Sequence, residues 1–340
     1  MQGEIIFTAM QLNKNIKIFF NYFLGPLLLV WLAFSVYQQI QRQENIETSW
    51  SHIKNSFQSA KIWNVLLVIL LMFANWGIEA KKWQLSVAKI YKISFSKAFK
   101  AILSGVSFSI IMPNRIGEYL GRLAYMPEGN RLKSISVTLV GSISQIYVTV
   151  VFGVIGFMFL KDQLIGQSII SDIVYRFVLG SFAVAIILLT VIYFKISVIE
   201  KLFERGLRNS KYLYLIESLR TFNVQLLLRI LLLSFLRYLV FLAQYFLLFS
   251  LFDVALPFLI IASVVSVLFL VLAVIPSIAL VEVGLRGEIS LQLMGMFTAN
   301  VLGVGLTVAS IWLINLVVPA IIGSILFLGI KVFKRKNEPD

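Results

Sequence analysis

The chain has 340 residues, 59% apolar and only 14% charged, with a net charge of +14 and a mean hydropathy of +0.90. That balance excludes a soluble globular domain, which needs more polar surface to face water. Cysteine is absent and His52 is the single histidine, which excludes disulfides, thiolate catalysis and zinc-thiolate sites and argues against histidine-based metal centres and Ser-His triads.

A bilayer core about 30 Å thick is crossed by about 20 mostly apolar residues in a helix. Such stretches recur here, and spans are predicted roughly over 16–37, 62–80, 134–160, 174–194, 225–252, 255–275 and 300–330. The first, from Ile16 to Tyr37, is of spanning length and lacks the cleavage-site pattern of a signal peptide, so it reads as a retained helix. Two shorter apolar pieces, near 98–112 and 278–297, each adjoin a proline followed by charges. The fold class predicted is all-α: a polytopic membrane bundle of about seven or eight crossings with two broken or re-entrant segments. Residues 1–340 form a single integral membrane domain, with no soluble domain expected.

The basic residues cluster between the spans, so the positive charge reads as membrane orientation and not as a nucleic-acid surface. Lys14, Lys17, the run Lys81, Lys82, Lys89, Lys92, Lys97 and Lys100, and the tail residues Lys331, Lys334, Arg335 and Lys336 are all assigned to the cytoplasmic side. The stretch from Lys195 to Arg229 is also basic, whereas Gln38 to Lys61 and Asp162 to Asp172 are nearly balanced and are assigned outward. Both termini are thus expected in the cytoplasm, in a cell's inner membrane. An even number of crossings follows, with 278–297 completing the eighth. Trp50, Ile53 and Phe57 recur at helical spacing among polar residues, as do Ile199, Leu202, Phe203 and Leu207 beside Arg205 and Arg208. Both stretches read as helices lying in the interface.

Two segments carry the chemistry. In the first, Pro113 cannot continue a preceding helix and Asn114 is a good N-cap, so a new helix is expected there. On it Arg115, Glu118 and Arg122 fall along one stripe, while Gly117 and Gly121 would admit a closely packed neighbour. A helix starting at membrane depth turns its partly positive end inward, and with Arg115 it would form an anion site. The second segment repeats this grammar with Pro276, Ser277, Gly284 and Gly287, and places Glu282, Arg286 and Glu288 on the helix that follows. Paired broken helices are a pointer to a transporter's binding site near the midplane. The repeat is short, and chance similarity is the alternative.

Further polar residues lie within the spans. Arg237 and Gln244 share one face, as do Asn75 and Glu79, and Gln145 lies in a third span. Charges at membrane depth should face protein or water and find partners. The same residues would also serve as internal ion pairs holding the broken helices together, which does not exclude substrate binding.

The two segments resemble the transmembrane region of lysylphosphatidylglycerol synthases, the flippase-like domain of the multiple peptide resistance factor and of stand-alone membrane proteins. The family's first motif, P-x-R-x-G-E with a further Arg, is matched by Pro113, Arg115, Gly117, Glu118 and Arg122. Its second, P-(small/apolar)-G-x-R-E, is matched more loosely by Pro276, Gly284, Arg286 and Glu288, with Gly287 interrupting the Arg-Glu pair. Lys82 and Trp83 look like the family's basic-Trp pair, whereas Ser144 and Gln145 stand near a position where many members carry Glu-Arg. The synthases carry a soluble aminoacyl transferase domain after the membrane part. Here the sequence stops about ten residues past the last span, so the resemblance implies handling of a lipid without its aminoacylation.

The leading expectation is a non-enzymatic protein that handles or translocates an anionic phospholipid or a polyprenyl-phosphate-linked lipid, with no cofactor and no metal. Substrate-binding candidates are Asn114, Arg115, Glu118, Arg122, Arg237, Glu282, Arg286 and Glu288. The arginines would contact phosphate, and the carboxylates would orient them or bind an amine. The alternatives are an integral-membrane transferase acting on a lipid-linked substrate and a non-transporting partner of a cell-envelope enzyme. A homo-oligomer or such an enzyme is the protein partner considered, and no nucleic acid.

Overall fold

The computed structural model describes residues 34, 46–109, 116–195, 218–275 and 279–336, and every regular element among them is helical. The span predicted over 16–37, the interfacial stretch around 199–208, Pro113 to Arg115 and Pro276 to Ile278 lie outside the described residues, apart from Phe34.

The first described helix, α1 (Ile46–Phe57), exposes Trp50 and Phe57, two of the apolar residues whose spacing predicts a helix here. A 3-10 turn, Ala60–Ile62, leads into α2 (Trp63–Val87). There follow α3 (Phe95–Ser109), the short α4 (Gly117–Leu123), α5 (Arg131–Phe159), α6 (Lys161–Gly166) and α7 (Asp172–Phe194). The second half holds α8 (Val224–Leu251), α9 (Phe258–Val274), α10 (Ala279–Met294), α11 (Val301–Trp312) and α12 (Val318–Lys336). Among the described residues, five stretches are long and apolar enough to cross a membrane: Ala60–Val87, Arg131–Phe159, Asp172–Phe194, Val224–Leu251 and Val301–Phe327. The protein is a multi-pass membrane protein, and each of these coincides with a span read from hydropathy. The shorter α9 falls on the predicted 255–275 stretch.

Local chemistry sets the ends of these helices. Ser171, Asn223 and Asn300 stand at the N-caps of α7, α8 and α11, and their side chains accept from Val174 N, Leu226 N and Gly303 N at 3.3, 2.8 and 2.9 Å. Asn300 also donates to the carbonyls of Phe252 and Asp253, both at 3.1 Å, which ties the start of α11 to the end of α8. The α9 helix stops before Pro276, since a residue preceding proline is pushed out of the helical region. Between α11 and α12 the chain stays helical through a π turn, Leu313–Val317. Pro319 has no N–H for the carbonyl four residues back, so the ladder widens there instead of breaking.

Glycines set how closely the helices approach. A Cβ on Gly117 would meet the Phe108 backbone, one on Gly121 the Gly105 backbone, and one on Gly105 would lie 2.7 Å from Glu118 O. The α3 and α4 helices therefore fold back on each other backbone to backbone, the close approach expected of Gly117 and Gly121. Gly323 of α12 lies against Leu103 of α3, while Gly153 and Gly156 of α5 receive Leu270 and Ser263 of α9. The faces left open are apolar: on α7, Ile173, Phe177 and Ile187 are exposed, as a lipid-facing helix requires.

One expectation needs correction. The second span does not end near 80 but runs as α2 to Val87, so Lys82 is not a loop cation. It is 2% exposed, inside the bundle, while Lys81, Lys89, Lys92, Lys97 and Lys100 remain exposed. The helix expected to be capped at Asn114 is described from Gly117 to Leu123, and the cap itself lies outside the described residues.

These glycine contacts yield a test. Gly121→Ala and Gly323→Ala should each destabilise the detergent-purified protein by about 1–3 kcal/mol through overpacking, seen as a lower thermal midpoint. Gly180→Ala on α7, where a Cβ meets nothing within 4 Å, should leave the midpoint unchanged or raise it.

Candidate functional site

The charged side chains of the interior gather around one carboxylate. Glu79, on α2, is 5% exposed, and three cations from three other places in the sequence close on it. Lys82 Nζ lies 2.7 Å from Oε2, Arg237 Nη1 lies 2.7 Å from the same oxygen, and Arg122 Nη2 lies 3.1 Å from Oε1. Arg122 also reaches Glu118 Oε2 at 3.0 Å, one turn back on α4. Its Nε is buried with no partner among the described residues. So α2, α4 and α8 meet at the carboxylate of a single residue.

A chain of amides extends this cluster across the bundle. Arg237 Nε donates to Asn75 Oδ1 at 2.7 Å, Asn75 Nδ2 to Asn315 Oδ1 at 3.3 Å, and Asn315 Nδ2 to Gln244 Oε1 at 3.0 Å. Gln244 Nε2 ends the chain on the carbonyl of Val68 at 3.0 Å. The pairs Asn75/Glu79 and Arg237/Gln244, each read as sharing a helix face, thus face one another across the α2–α8 contact. Asn315 is presented from the π turn, where the wider backbone projects its side chain toward α2 and α8.

The second motif approaches from the other side. Arg286 Nε donates to Glu282 Oε1 at 3.0 Å, the i, i+4 pair expected from the sequence. A small pocket of about 40 Å³ is lined by Glu118, Arg237, Glu282 and Arg286 together with Trp76 and Asn315. Next to it, and sharing Arg237, Glu282 and Arg286, is a cavity of about 550 Å³ bounded by α5, α8, α9 and the start of α10. Gln145, Tyr238, Phe241 and Phe269 form more of its wall, and Leu272, Val274 and Ile275 give it an apolar side. Arg237 lies 5.1 Å from the Trp76 ring centre and 5.7 Å from that of Phe241, and Arg286 lies 5.9 Å from Phe269, so aromatic faces flank both guanidinium groups.

Of the residues singled out in the sequence, Glu118, Arg237, Glu282 and Arg286 line one pocket, and Arg122 joins them through Glu118 and Glu79. Glu288 does not face this pocket; Gln292 Nε2 donates to its Oε1 at 2.9 Å on another side of α10. Two residues after Arg286, it sits about 200° around the helix from it. Asn114 and Arg115 lie outside the described residues. The sequence singles out Lys82 only through the resemblance of Lys82 and Trp83 to the family's basic-Trp pair and otherwise assigns it to a loop, since a cation at the end of an apolar run reads as a loop residue. Sequence reasoning missed Asn315, although a lone amide inside an apolar span was the available signal.

Chemically, the arrangement is a hollow with a polar and an apolar side, and in and behind its polar side the described cations outnumber the described carboxylates. Among the described residues, Lys82, Arg122, Arg237 and Arg286 stand against Glu79, Glu118 and Glu282. Arg237 commits Nε to Asn75 and Nη1 to Glu79, has no hydrogen-bond partner for Nη2 among the described residues, and lines the cavity. A guanidinium with an uncommitted amino group suits a phosphate oxygen.

A model of the lysylphosphatidylglycerol synthase transmembrane region matches residues 18–323, nearly the whole chain. The chain belongs to this family. The family links it to the modification or flipping of membrane lipid. No curated protein and no solved structure matches it.

The hub makes a measurable demand on stability. Glu79→Gln would leave three cations facing one another with no shared carboxylate and should cost about 3–5 kcal/mol in detergent thermal unfolding. Adding Lys82→Met to that variant should recover part of the loss, because one uncompensated charge is removed with its partner.

Proposed function

We propose that this protein handles a phosphate-bearing membrane lipid, an anionic phospholipid or a polyprenyl-phosphate-linked lipid, by admitting its headgroup to the cavity beside Arg237 and moving it between leaflets. The observation that carries this reading is the position of Arg237. It is held by Glu79 and Asn75, flanked by aromatic rings, and lines a cavity of about 550 Å³. A charge in hydrocarbon without compensation is strongly unfavourable, so a crossing headgroup needs such a polar recess. The apolar side of the cavity, at Leu272, Val274 and Ile275, suits acyl chains that stay in the bilayer.

On this reading Arg237 and Arg286 meet the phosphate, and Glu118, Glu282 and Glu79 hold the cations in place. Asn114 and Arg115 would extend the same surface from the first motif. The role is non-enzymatic: Glu79, Glu118 and Glu282 are each engaged by an arginine or lysine, which suits them poorly as general bases or metal ligands. The exposed Lys81, Lys89, Lys92, Lys97 and Lys100 support a cytoplasmic position for the loop after α2 and an inner-membrane setting.

Reconstitution tests the proposal. Protein in vesicles carrying a fluorescent phosphatidylglycerol should speed leaflet exchange, followed as the fraction quenched by an impermeant reductant. Arg237→Gln should slow that exchange by about tenfold or more, the effect of losing one charge-assisted contact. Exchange equal to that of empty vesicles, or an Arg237→Gln protein as fast as the unaltered one, overturns it.

A further inference from the structure

We infer that Gln145 sets the charge selectivity of the cavity, because as a neutral amide it leaves Lys82 without a carboxylate of its own and so keeps the polar wall net positive. The inference deepens the headgroup reading above and rests on it.

Lys82 is 2% exposed and its Nζ has three described neighbours. Only Glu79, at 2.7 Å, is charged; the others are Ser234 Oγ at 3.4 Å and Gln145 Oε1 at 3.5 Å. Glu79 is shared with Arg122 and Arg237, so its single negative charge serves three cations. Gln145 stands between this cluster and the cavity: its oxygen faces Lys82 while the residue lines the cavity beside Arg237, Glu282 and Arg286. Its amide nitrogen donates to the Ser234 carbonyl at 3.4 Å, and Ser144 donates to Ser234 Oγ at 2.9 Å, so neutral groups of α5 and α8 fix its orientation.

A glutamate has almost the shape of glutamine. At position 145 it would pair with Lys82 and cancel the one surplus positive charge of the described cluster. At low effective dielectric one charge beside a ligand phosphate weighs heavily, and the new carboxylate would also repel that phosphate directly. The residue at 145 therefore decides whether the cavity prefers a net-negative headgroup or is indifferent to headgroup charge.

The test measures binding, so its outcome does not depend on whether the protein translocates. Full-length protein in nanodiscs is titrated with short-chain phosphatidylglycerol and, separately, with phosphatidylcholine of the same chain length. The unaltered protein should prefer the anionic lipid, and Gln145→Glu should reduce that preference by about tenfold through weaker phosphatidylglycerol binding. Gln145→Met, which keeps the size and adds no charge, should retain the preference. Lys82→Gln removes the same unit of charge from the opposite partner and should mimic Gln145→Glu. It also decides the matter if the glutamate variant does not fold. An undiminished preference in Gln145→Glu or in Lys82→Gln overturns the inference. So does a loss in Gln145→Met as large as in Gln145→Glu, since shape or hydrogen bonding would then be the cause.

Discussion

A carboxylate buried among hydrocarbon-facing helices is stable only if cations come to it, and Glu79 makes this requirement the organising constraint of the bundle. Its two oxygens receive Lys82 from its own helix, Arg122 from the short helix of the first motif and Arg237 from the middle of α8. Water cannot substitute for any of them without a polar path, so α4 and α8, which supply two of the three cations, are fixed relative to α2. Such pairs contribute little net energy compared with apolar packing of the same volume. What they contribute is position: α4 cannot slide along α3, nor α8 rotate against α2, without stranding a charge.

The glycines make the same arrangement possible sterically. Gly105, Gly117 and Gly121 bring the backbones of α3 and α4 into contact, which lets a seven-residue helix sit deep enough for Arg122 to reach Glu79. Close packing positions the charge, and the charge in turn holds the hairpin inward. The amide chain from Arg237 through Asn75 and Asn315 to Gln244 adds a second tie, between α2, α8 and the π turn. Through it, the widened backbone that Pro319 imposes on the last span is connected to the guanidinium that faces the cavity.

Much of this was legible in the sequence, for identifiable reasons. Spans such as Arg131–Phe159 and Val224–Leu251 are read from hydropathy because lipid imposes a length and a composition on any crossing helix. The facing of Asn75 with Glu79 and of Arg237 with Gln244 follows from helical periodicity, and the Glu282–Arg286 pair from its spacing of four. Which stripes meet across helices does not follow, because periodicity assigns a face to each helix but not a partner to that face. Lys82 shows the failure most clearly. In one dimension it belongs to a run of lysines beyond an apolar segment, and only the continuation of α2 to Val87 turns it inward. Glu288 fails in the opposite way: it matches a motif by letter, yet the intervening Gly287 rotates it away from Arg286.

The ion-pair reading and the substrate-binding reading of these residues are not rivals, and the geometry says why. A cation fully committed to protein partners would serve structure alone, and a cation with none would be too unfavourable to keep in the bilayer. Arg237 stands between these limits, with two of its nitrogens bonded to Asn75 and Glu79 while the residue lines the cavity. Its bonds to protein orient the guanidinium before a ligand arrives, so little conformational freedom remains to be lost on binding. A headgroup phosphate entering the cavity would then complete a set of contacts the protein has already aligned. The apolar wall formed by Leu272, Val274 and Ile275 would keep its chains in an environment no different from the bilayer.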